Sequence, residues 1–290
     1  MKIFQSLART PTEELVELAR VAEDLGFAGV SLSDHLVRPV SISSSYPYSA
    51  DGLMAAAPET HYPDVWVAAA AIAQATTRLN VLSSVYILPA RDPFTAAKAL
   101  ATAAVLSGDR VMIGVGLGWM REEFELTGQA FEGRGARTDE MLTLIEKLLR
   151  PGPVEHQGRF YTVPPLHMAP TPRRGPPILV GGHSEAALRR AARHDGWIGV
   201  NYPRAEVPAR VAQVLAARAA AGERASEYPF EVALAINEPL DRETIEHLAE
   251  VGVTLLIHPP APLDPTRRDL TARRRHLEAL ARIGLATTIS

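Results

Sequence analysis

Three glycines stand at alternate positions in the segment IGVGLGWM, which runs from Ile113 to Met120. Glycines this dense after an apolar run are typical of loops that bind a phosphate, and the dinucleotide-binding version has the spacing G-x-G-x-x-G after the first strand of its unit. Here Gly114, Gly116 and Gly118 have the spacing G-x-G-x-G and close the fourth predicted strand. Spacing and position argue against a dinucleotide loop and predict a strand end that a flat or bulky group can approach.

The segment GGHS, from Gly181 to Ser184, is a second candidate for binding a phosphate. Its glycines end an apolar strand, and Ser184 is a suitable N-cap for a helix that begins at Glu185. Free amides and the dipole at the start of a helix favour an anion. Two glycines are equally what a tight turn between a strand and a helix requires, so the residues leave both interpretations open.

Asp34 and His35 follow the second predicted strand, and His35 is the candidate general acid or base. A histidine at a strand end also serves as a hydrogen-bonded structural residue, and His258 after the last strand is interpreted as packing. No H-x-H pair is present and few carboxylates lie at strand ends, so we predict no metal site. The absence of cysteine and of a G-x-S-x-G segment argues against a cysteine or serine nucleophile.

The elements that must position these residues alternate between short β-branched runs and amphipathic, alanine-rich helices. Eight strands, each followed by a helix, favour a closed (β/α)8 TIM barrel over an open doubly wound sheet, in a single domain over residues 1–290. Side chains at the C-terminal ends of the strands then meet at one mouth of the barrel. The predicted strands cover residues 2–7, 28–34, 79–89, 110–118, 176–182, 197–201, 230–237 and 253–259.

Two long segments interrupt the alternation. Residues 36–61 form a loop rich in Ser, Ala and Pro after the second strand, and residues 151–177 form a proline-rich insertion between the fourth and fifth strands. Within the second insertion, GRFYTV at residues 158–163 predicts an extra hairpin strand. Loops of this length in a compact domain are usually lids or binding loops, so we interpret both in that way.

The composition narrows the classes of partner. The formal net charge of −3 gives no general attraction to nucleic acid or to an anionic membrane surface. No apolar run approaches the ~20 residues that cross a bilayer, and the N-terminal segment lacks the apolar core of a signal peptide. We therefore expect a cytoplasmic protein whose partner is a small molecule, with no nucleic acid or membrane partner.

Four segments together resemble the bacterial luciferase-like monooxygenase superfamily, and more closely its F420-dependent oxidoreductase branch. They are SLSDH, VYILPARDPFTAAKALATAAVLSGDRVMIGVGLGWMREEFELTG, FEGRGARTDEM and PPILVGGHSEAALRRAARHDGWIGV, and the match extends from about Phe27 to Val200. Members of that superfamily are (β/α)8 barrels that bind a flavin or the deazaflavin F420 at the mouth of the barrel. The resemblance implies an oxidoreductase, and homodimers are common in the family.

The resemblance also implies roles for individual residues. Asp34 and His35 would lie beside the deazaflavin ring, with His35 catalytic as a general acid or base. Ser84–Val85 would be a non-prolyl cis peptide that forms a bulge against one face of the ring. The other cofactor-binding residues would be Gly116, Leu117 and Gly118 along the ring and its side chain, and Gly181, Gly182, His183 and Ser184 at the phosphate.

The implied cofactor is F420, because SDH after the second strand is similar to the F420-dependent branch; FMN is the alternative. The implied reaction is transfer of a hydride between the deazaflavin and a small organic substrate. Two other functions stay open from the sequence. One is an FMN-dependent monooxygenase supplied by a separate flavin reductase, and the other is a non-catalytic flavin-binding barrel.

The chain departs from the sugar-phosphate dehydrogenases of that branch. Trp119 stands where those enzymes carry a catalytic glutamate, and the tryptophan that follows their histidine is absent, since LVRPV follows His35. Glu122 and Glu123 are expected to be solvated on the next helix. We therefore expect no glucose-6-phosphate type of reaction. Trp119 and Tyr202 would offer the substrate an aromatic surface, although an aromatic residue at a barrel rim is as often a packing residue.

Overall fold

The computed structural model describes residues 1–49, 51–54, 56–222, 226–236, 240–260 and 270–282. The strands within these ranges are β1 (Lys2–Ser6), β2 (Gly29–Leu32), β3 (Asn80–Ile87), β4 (Val111–Gly116), β5 (Val154–Gln157), β6 (Thr162–Leu166), β7 (Ile178–Gly181), β8 (Gly196–Val200), β9 (Glu231–Ala235) and β10 (Leu255–His258). The α-helices are α1 (Leu15–Asp24), α2 (Val65–Ala75), α3 (Pro93–Ser107), α4 (Arg121–Leu126), α5 (Arg134–Leu148), α6 (Glu185–Ala191), α7 (Val207–Ala220), α8 (Arg242–Glu250) and α9 (Leu270–Arg282).

Eight parallel strands close into a barrel in the order β1-β10-β9-β8-β7-β4-β3-β2, and β5 pairs with β6 in a separate antiparallel hairpin. The (β/α)8 barrel predicted from the alternation is therefore confirmed, and each barrel strand overlaps a predicted one. Residue 237, at the end of the seventh predicted strand, lies outside the described residues. In the described part of the chain, no helix has the length and apolar character that crossing a membrane requires.

Alternate side chains of the strands fill the inside of the barrel and the layer beneath the helices. On β4, Met112 belongs to a compact cluster with Phe4 and Leu179, whereas Ile113 and Val115 belong to the larger cluster that packs under the helices. Parallel strands covered on both faces have near-continuous apolar sequences. This double burial explains why β-branched runs identify the strands so clearly.

The loop of residues 36–61 connects β2 to α2, and its described part contains no helix or strand. Its described part is held by turn hydrogen bonds within the loop, such as that from the Tyr46 amide to the Gly52 carbonyl at 2.7 Å, and by side-chain contacts to other elements. Several of the side-chain contacts lie at the mouth of the barrel.

The second insertion carries the hairpin β5–β6, but the predicted strand is displaced. GRFYTV at residues 158–163 predicted a strand, whereas residues 158–161 connect the two strands and β6 begins at Thr162. The carboxylate of Glu140 in α5 accepts hydrogen bonds from the backbone amides of Phe160 and Tyr161, at 2.9 and 2.8 Å. These amides therefore bind the helix instead of a strand partner, and the hairpin turns at that point.

Candidate active site at the barrel mouth

The carboxylate of Asp34 is buried and fully engaged by neighbouring groups. Its two oxygens accept hydrogen bonds from the Arg91 guanidinium, each at 2.8 Å, and one also accepts from the Ile87 amide at 2.8 Å. Burial raises the pKa of the Asp34 carboxyl, and the Arg91 charge opposes that rise. The side chain is 1% exposed. It joins the end of β2 to the end of β3, and the predicted place of Asp34 beside a cofactor ring stays a prediction.

His35 forms a dyad with a carboxylate that the sequence did not assign to the site. Its Nδ1 lies 3.0 Å from Glu123 Oε2, and Glu123 Oε1 accepts a hydrogen bond from the Leu36 amide at 2.6 Å. The Glu123 side chain is 0% exposed and that of His35 is 11% exposed. The expectation that Glu123 is solvated is therefore wrong. The arrangement presents an oriented imidazole at the mouth, which is the usual geometry of a histidine acid or base.

Glu122, the neighbour of Glu123 in α4, is partly exposed, so the expectation of a solvated side chain holds in part, but its carboxylate also binds the 36–61 loop. Its carboxylate accepts hydrogen bonds from the amides and hydroxyls of Ser43 and Ser44 at 2.6–3.1 Å. These hydrogen bonds, with Ser43 contributing most, lower the pKa of Glu122 to about 2. The Ser44 hydroxyl also accepts from the Arg121 amide at 3.0 Å. The start of α4 thus fastens the middle of the 36–61 loop, and we call these contacts the loop clamp.

β3 is irregular at the position that the resemblance implied. The peptide bond between Ser84 and Val85 is cis, as expected, and the pairing of β3 with β4 changes register between Ser83 and Tyr86. The buried Ser83 hydroxyl donates to Gly114 O at 3.0 Å and accepts from Gly114 N at 2.9 Å. The predicted bulge is therefore present, and contact of Ser84 and Val85 with a cofactor stays a prediction.

The side chain of Val85 lies between two of the predicted cofactor-binding glycines. A Cβ atom placed on Gly116 would lie 2.3 Å from Val85 Cγ2, and one placed on Gly181 would lie 2.8 Å from Val85 Cγ1. A Cβ atom on Gly114 would lie 2.2 Å from the carbonyl oxygen of Ser83. Because neighbouring strands occupy this space, packing at the bulge explains why these positions have no side chains, and contact of Gly116 and Gly181 with a cofactor stays a prediction.

Packing also explains Gly118, the last glycine of the segment IGVGLGWM. Gly118 has a φ of +72°, and a Cβ atom there would lie 2.7 Å from Ile87 Cγ2. Leu117 is half-buried beside the start of α5, near Gly135. Packing therefore accounts for the lack of side chains at these glycines, and the approach of a flat or bulky group to them stays a prediction. Leu117 and Gly118 lie on the rim, where their predicted contact with a cofactor stays untested.

The GGHS segment forms the predicted turn between β7 and α6. Gly182 has a φ of +124° and its carbonyl accepts a hydrogen bond from Trp197 Nε1 at 2.8 Å. The Ser184 hydroxyl accepts from the Ala187 amide at 3.2 Å, which confirms it as the N-cap. Burial, and then the charge of Arg210, lower the pKa of His183. Its Nε2 is buried and has no hydrogen-bond partner in the described part of the chain.

A continuous row of rings links His35 to His183 across the mouth. Successive ring centroids are 5.0, 6.2, 5.1, 5.4, 5.0 and 4.3 Å apart, and all but the last contact are edge to face. We call it the aromatic row, and in order it consists of Tyr62, His35, Trp119, Tyr46, Tyr48, His183 and Tyr202. Tyr46 and Tyr48 belong to the 36–61 loop, so this loop crosses the rim between the ends of β4 and β7.

The two residues predicted to contact substrate differ in their access to the mouth. Trp119 is partly exposed and lies 6.2 Å from His35, centroid to centroid. Tyr202 is 5% exposed, stacks behind His183 at 4.3 Å and lies 6.0 Å from Trp197. Burial raises the pKa of Tyr202 to about 12. Its geometry favours the packing alternative, whereas that of Trp119 suits a substrate contact.

The histidine after the last barrel strand does not join this group. His258 is buried, its Nδ1 donates to the carbonyl of Pro259 at 2.8 Å, and burial lowers its pKa to about 4. These contacts agree with its interpretation as a packing residue. Across the described ranges, no three His, Asp or Glu side chains are grouped so that they could hold a metal ion.

Sequence reasoning missed Glu123, the loop clamp and the two loop tyrosines. A signal for Glu123 was available, because Met120, Glu123 and Phe124 have the spacing i, i+3, i+4 of a buried helix stripe. All three are 0% exposed. A glutamate on such a stripe is almost never fully buried unless it is paired, so the pattern itself points to a partner.

The sequence matches one protein family along almost the whole chain. The sequence model of the luciferase-like monooxygenase family matches residues 4–285, and the chain belongs to that family. An uncharacterized protein of Mycobacterium tuberculosis (strain ATCC 25618 / H37Rv) is 34% identical over 284 residues, which are 97% of this chain and 98% of that protein. An F420-dependent glucose-6-phosphate dehydrogenase of Microbacterium testaceum is 31% identical over 189 residues, covering 64% of this chain and 52% of that enzyme.

Two solved structures have the same fold over nearly the whole chain. The monooxygenase RslO1 from Streptomyces bottropensis is 20% identical, covers 98% of both chains and has a TM-score of 0.76. An F420-dependent secondary alcohol dehydrogenase in complex with an F420-acetone adduct is 16% identical, covers 99% of both chains and has a TM-score of 0.75. The chain is therefore a luciferase-like flavin- or deazaflavin-dependent oxidoreductase by family.

Proposed function

We propose that this chain is an F420-dependent oxidoreductase that transfers a hydride between the deazaflavin and a small organic substrate at the barrel mouth. The observation that carries the proposal is the imidazole of His35, held at its Nδ1 by the buried carboxylate of Glu123 at 3.0 Å. Relatives named as F420-dependent dehydrogenases support the choice of cofactor. Reversible two-electron chemistry needs a proton carrier of this kind beside the substrate.

The GGHS turn is the segment to which the resemblance assigned the phosphate of the cofactor. It lies at the start of α6, where Ser184 is the N-cap, and free amides at the start of a helix favour an anion. His183 Nε2 is enclosed and has no partner in the described part of the chain, so we assign no contact to this atom. We assign the phosphate to Gly181–Ser184, as the resemblance implied, and the ring to the surface between Val85 and His35.

When bound, F420 supplies a carrier for the hydride. The chain supplies the proton carrier: His35 Nε2 accepts the proton of a substrate hydroxyl as the hydride leaves the adjacent carbon, and it returns that proton in the reverse reaction. Trp119 and the loop tyrosines cover the substrate and exclude water. The substrate class that fits this cover is a small neutral alcohol or carbonyl compound with an apolar body.

Titration with F420 and with FMN, followed by ring fluorescence, tests the choice of cofactor. We expect saturable binding of F420 and weak binding of FMN.

Turnover with F420 and a panel of small alcohols tests the role of His35. His35→Ala should lower kcat by about 10²–10⁴-fold while the affinity for F420 changes little. His167→Ala, at an exposed histidine of the second insertion, is the matched control and should retain activity. Tight FMN binding together with indifference to F420 would overturn the proposal.

An FMN-dependent monooxygenase is the second candidate, because the chain has the fold of the monooxygenase RslO1. This function requires a separate flavin reductase, and oxygen consumption with reduced FMN would identify it. A flavin-binding barrel without activity would bind a cofactor and turn over none of the substrates.

Three expectations from the sequence stay predictions. They are a homodimer, a single domain over residues 1–290 and a cytoplasmic location.

A further inference from the structure

The carboxylate of Glu123 is enclosed, and its two oxygens have separate partners. Oε2 meets His35 Nδ1 at 3.0 Å, and Oε1 meets the Leu36 amide at 2.6 Å. Within the described ranges no arginine or lysine forms an ion pair with Glu123. Arg91, the cation near this region, has its guanidinium on Asp34. His35 is therefore the one side chain that faces this buried acid within hydrogen-bond distance in the described structure.

The chemistry of these partners fixes the hydrogen positions. When the Glu123 carboxyl is ionised it only accepts hydrogen bonds, and the proton of a neutral His35 ring is then on Nδ1. The other ring nitrogen then carries a lone pair, because the hydrogen bond at one nitrogen sets the tautomer of the imidazole. His35 Nε2 has no hydrogen-bond partner among the described residues, and it is not fully enclosed, since the side chain is 11% exposed.

The surroundings hold both members of the dyad in place. Tyr62 packs edge to face on the His35 ring at 5.0 Å, and Trp119 does so at 6.2 Å. Glu123 itself lies on the buried stripe of α4 with Met120 and Phe124, each 0% exposed. Neither side chain can therefore change its orientation without disturbing the packing around it.

We propose that Glu123 is a positioning residue that keeps the His35 proton on Nδ1 and presents an unprotonated Nε2 to the substrate. The inference deepens the proposed function and rests on it, because the hydride transfer described above needs a proton acceptor on that side of the ring. The glutamate itself touches no reacting atom. Its effect is to select one of two tautomers, and the wrong tautomer has a donor where the reaction needs an acceptor.

The tautomer of His35 can be read directly in the purified protein without any cofactor. Nitrogen-15 chemical shifts of the histidine rings, assigned with His35→Asn, report which nitrogen is protonated at a pH where the ring is neutral. We expect the Nδ1–H form in the wild type. In Glu123→Gln one amide oxygen faces two donors, so the amide nitrogen should donate to His35 Nδ1 and shift the ring to the Nε2–H form.

Glu122→Gln is the matched control, because it makes the same chemical change one residue away and leaves His35 without a new partner. Its His35 ring should remain in the Nδ1–H form. In turnover with F420, Glu123→Gln should lower kcat by about 10²–10⁴-fold with little change in KM. In the His35→Asn background, adding Glu123→Gln should change kcat by less than about twofold. If Glu123→Gln folds poorly, the ring tautomer of the wild-type protein still decides the question.

An Nε2–H ring in the wild-type protein, or an unchanged Nδ1–H ring in Glu123→Gln, would overturn the positioning role whatever cofactor binds. Additive losses of kcat in the double variant would overturn it as well. Failure of the proposed function has a different signature, because absence of F420 binding leaves the tautomer measurement intact.

Discussion

Under the proposed function, we expect the ring of Tyr46 to contribute to selection of the substrate. Its ring lies edge to face on Trp119 at 5.1 Å and on Tyr48 at 5.4 Å, and it is only partly exposed. Burial raises its pKa, so the hydroxyl stays neutral at physiological pH. A neutral aromatic cover of this kind favours apolar substrates because it offers contact area and no charge.

Removal of the Tyr46 ring should therefore weaken substrate binding more than it slows the chemical step. We expect Tyr46→Ala to raise KM by about 2–10-fold, in line with the ~0.5–1.5 kcal/mol of an aromatic contact, with a smaller effect on kcat. Tyr46→Phe keeps the ring and should behave like the wild type in steady-state kinetics. An unchanged KM in Tyr46→Ala would mean that the loop does not contact the substrate.

The residues of the site were predictable where a strand end places them and unpredictable where a partner is distant in sequence. His35 and Trp119 follow strands, and the periodicity of the strands locates both at the mouth. The pairing of Glu123 with His35 spans 88 positions. Its prediction requires the packing of α4 against the end of β2, and no local pattern specifies that packing.

The loop clamp is the feature that matters most at the scale of elements. Four hydrogen bonds from two adjacent serines converge on Glu122, so one helix start fixes the path of a loop without regular structure. The clamp depends on the ionised carboxylate, because that form accepts several hydrogen bonds at once. Its strength should therefore depend on pH.

The sign of this dependence follows from the lowered pKa of about 2 for Glu122. A group whose pKa falls on folding stabilises the protein fully above its ordinary pKa of 4.5, and that contribution is lost as the pH falls toward about 2. We expect the difference in melting temperature between wild type and Glu122→Gln to be largest above about pH 5 and to narrow toward pH 3.

Hydrogen exchange of residues 42–48 provides a local check on the same variant, because opening of the clamp exposes these amides. Glu125→Gln, at an exposed glutamate of the same helix, should change neither measurement. A pH-independent difference in melting temperature for Glu122→Gln would contradict the role of the ionised carboxylate.

Sequence patterns were sufficient to locate the barrel strands but not the hairpin strand or the path of the 36–61 loop. Strands buried on both faces have apolar runs, and all eight barrel strands were predicted in place. The hairpin strand was displaced because the amides of Phe160 and Tyr161 bind Glu140, a contact that β-propensity does not describe. The path of the 36–61 loop depends on hydrogen bonds to α4, and its composition alone could not predict it.

For the whole molecule, closure of the barrel depends on close approach of strands at Gly114. A Cβ atom there would lie 2.2 Å from Ser83 O and 2.4 Å from Ile198 Cδ1, so β3, β4 and an interior side chain of β8 all occupy the space. A backbone oxygen cannot yield without moving its strand. Overpacking of this kind is costly because a dense interior has no room to absorb it.

Gly114→Ala should therefore destabilise the whole barrel by about 1–3 kcal/mol, measured as the free energy of unfolding in denaturant. Gly175→Ala is the matched control, since a methyl group added to that glycine would meet no atom within 4 Å and the glycine lies on an exposed segment. It should unfold like the wild type. Equal stability of the two variants would show that β3 and β4 can separate at no cost.

The arrangement of Glu122 and Glu123 on consecutive positions has a consequence for redesign. Glu123 holds His35 and a backbone amide, whereas Glu122 holds the serines that begin the outer part of the loop. The attachment at Leu36 uses no side chain of the loop, and the attachment at Ser43 and Ser44 uses one dipeptide. Residues beyond Ser44 contribute to neither attachment, so we expect an exchange of residues 45–49 to change the substrate cover and to leave the hydrogen bonds of Glu122 and Glu123 in place.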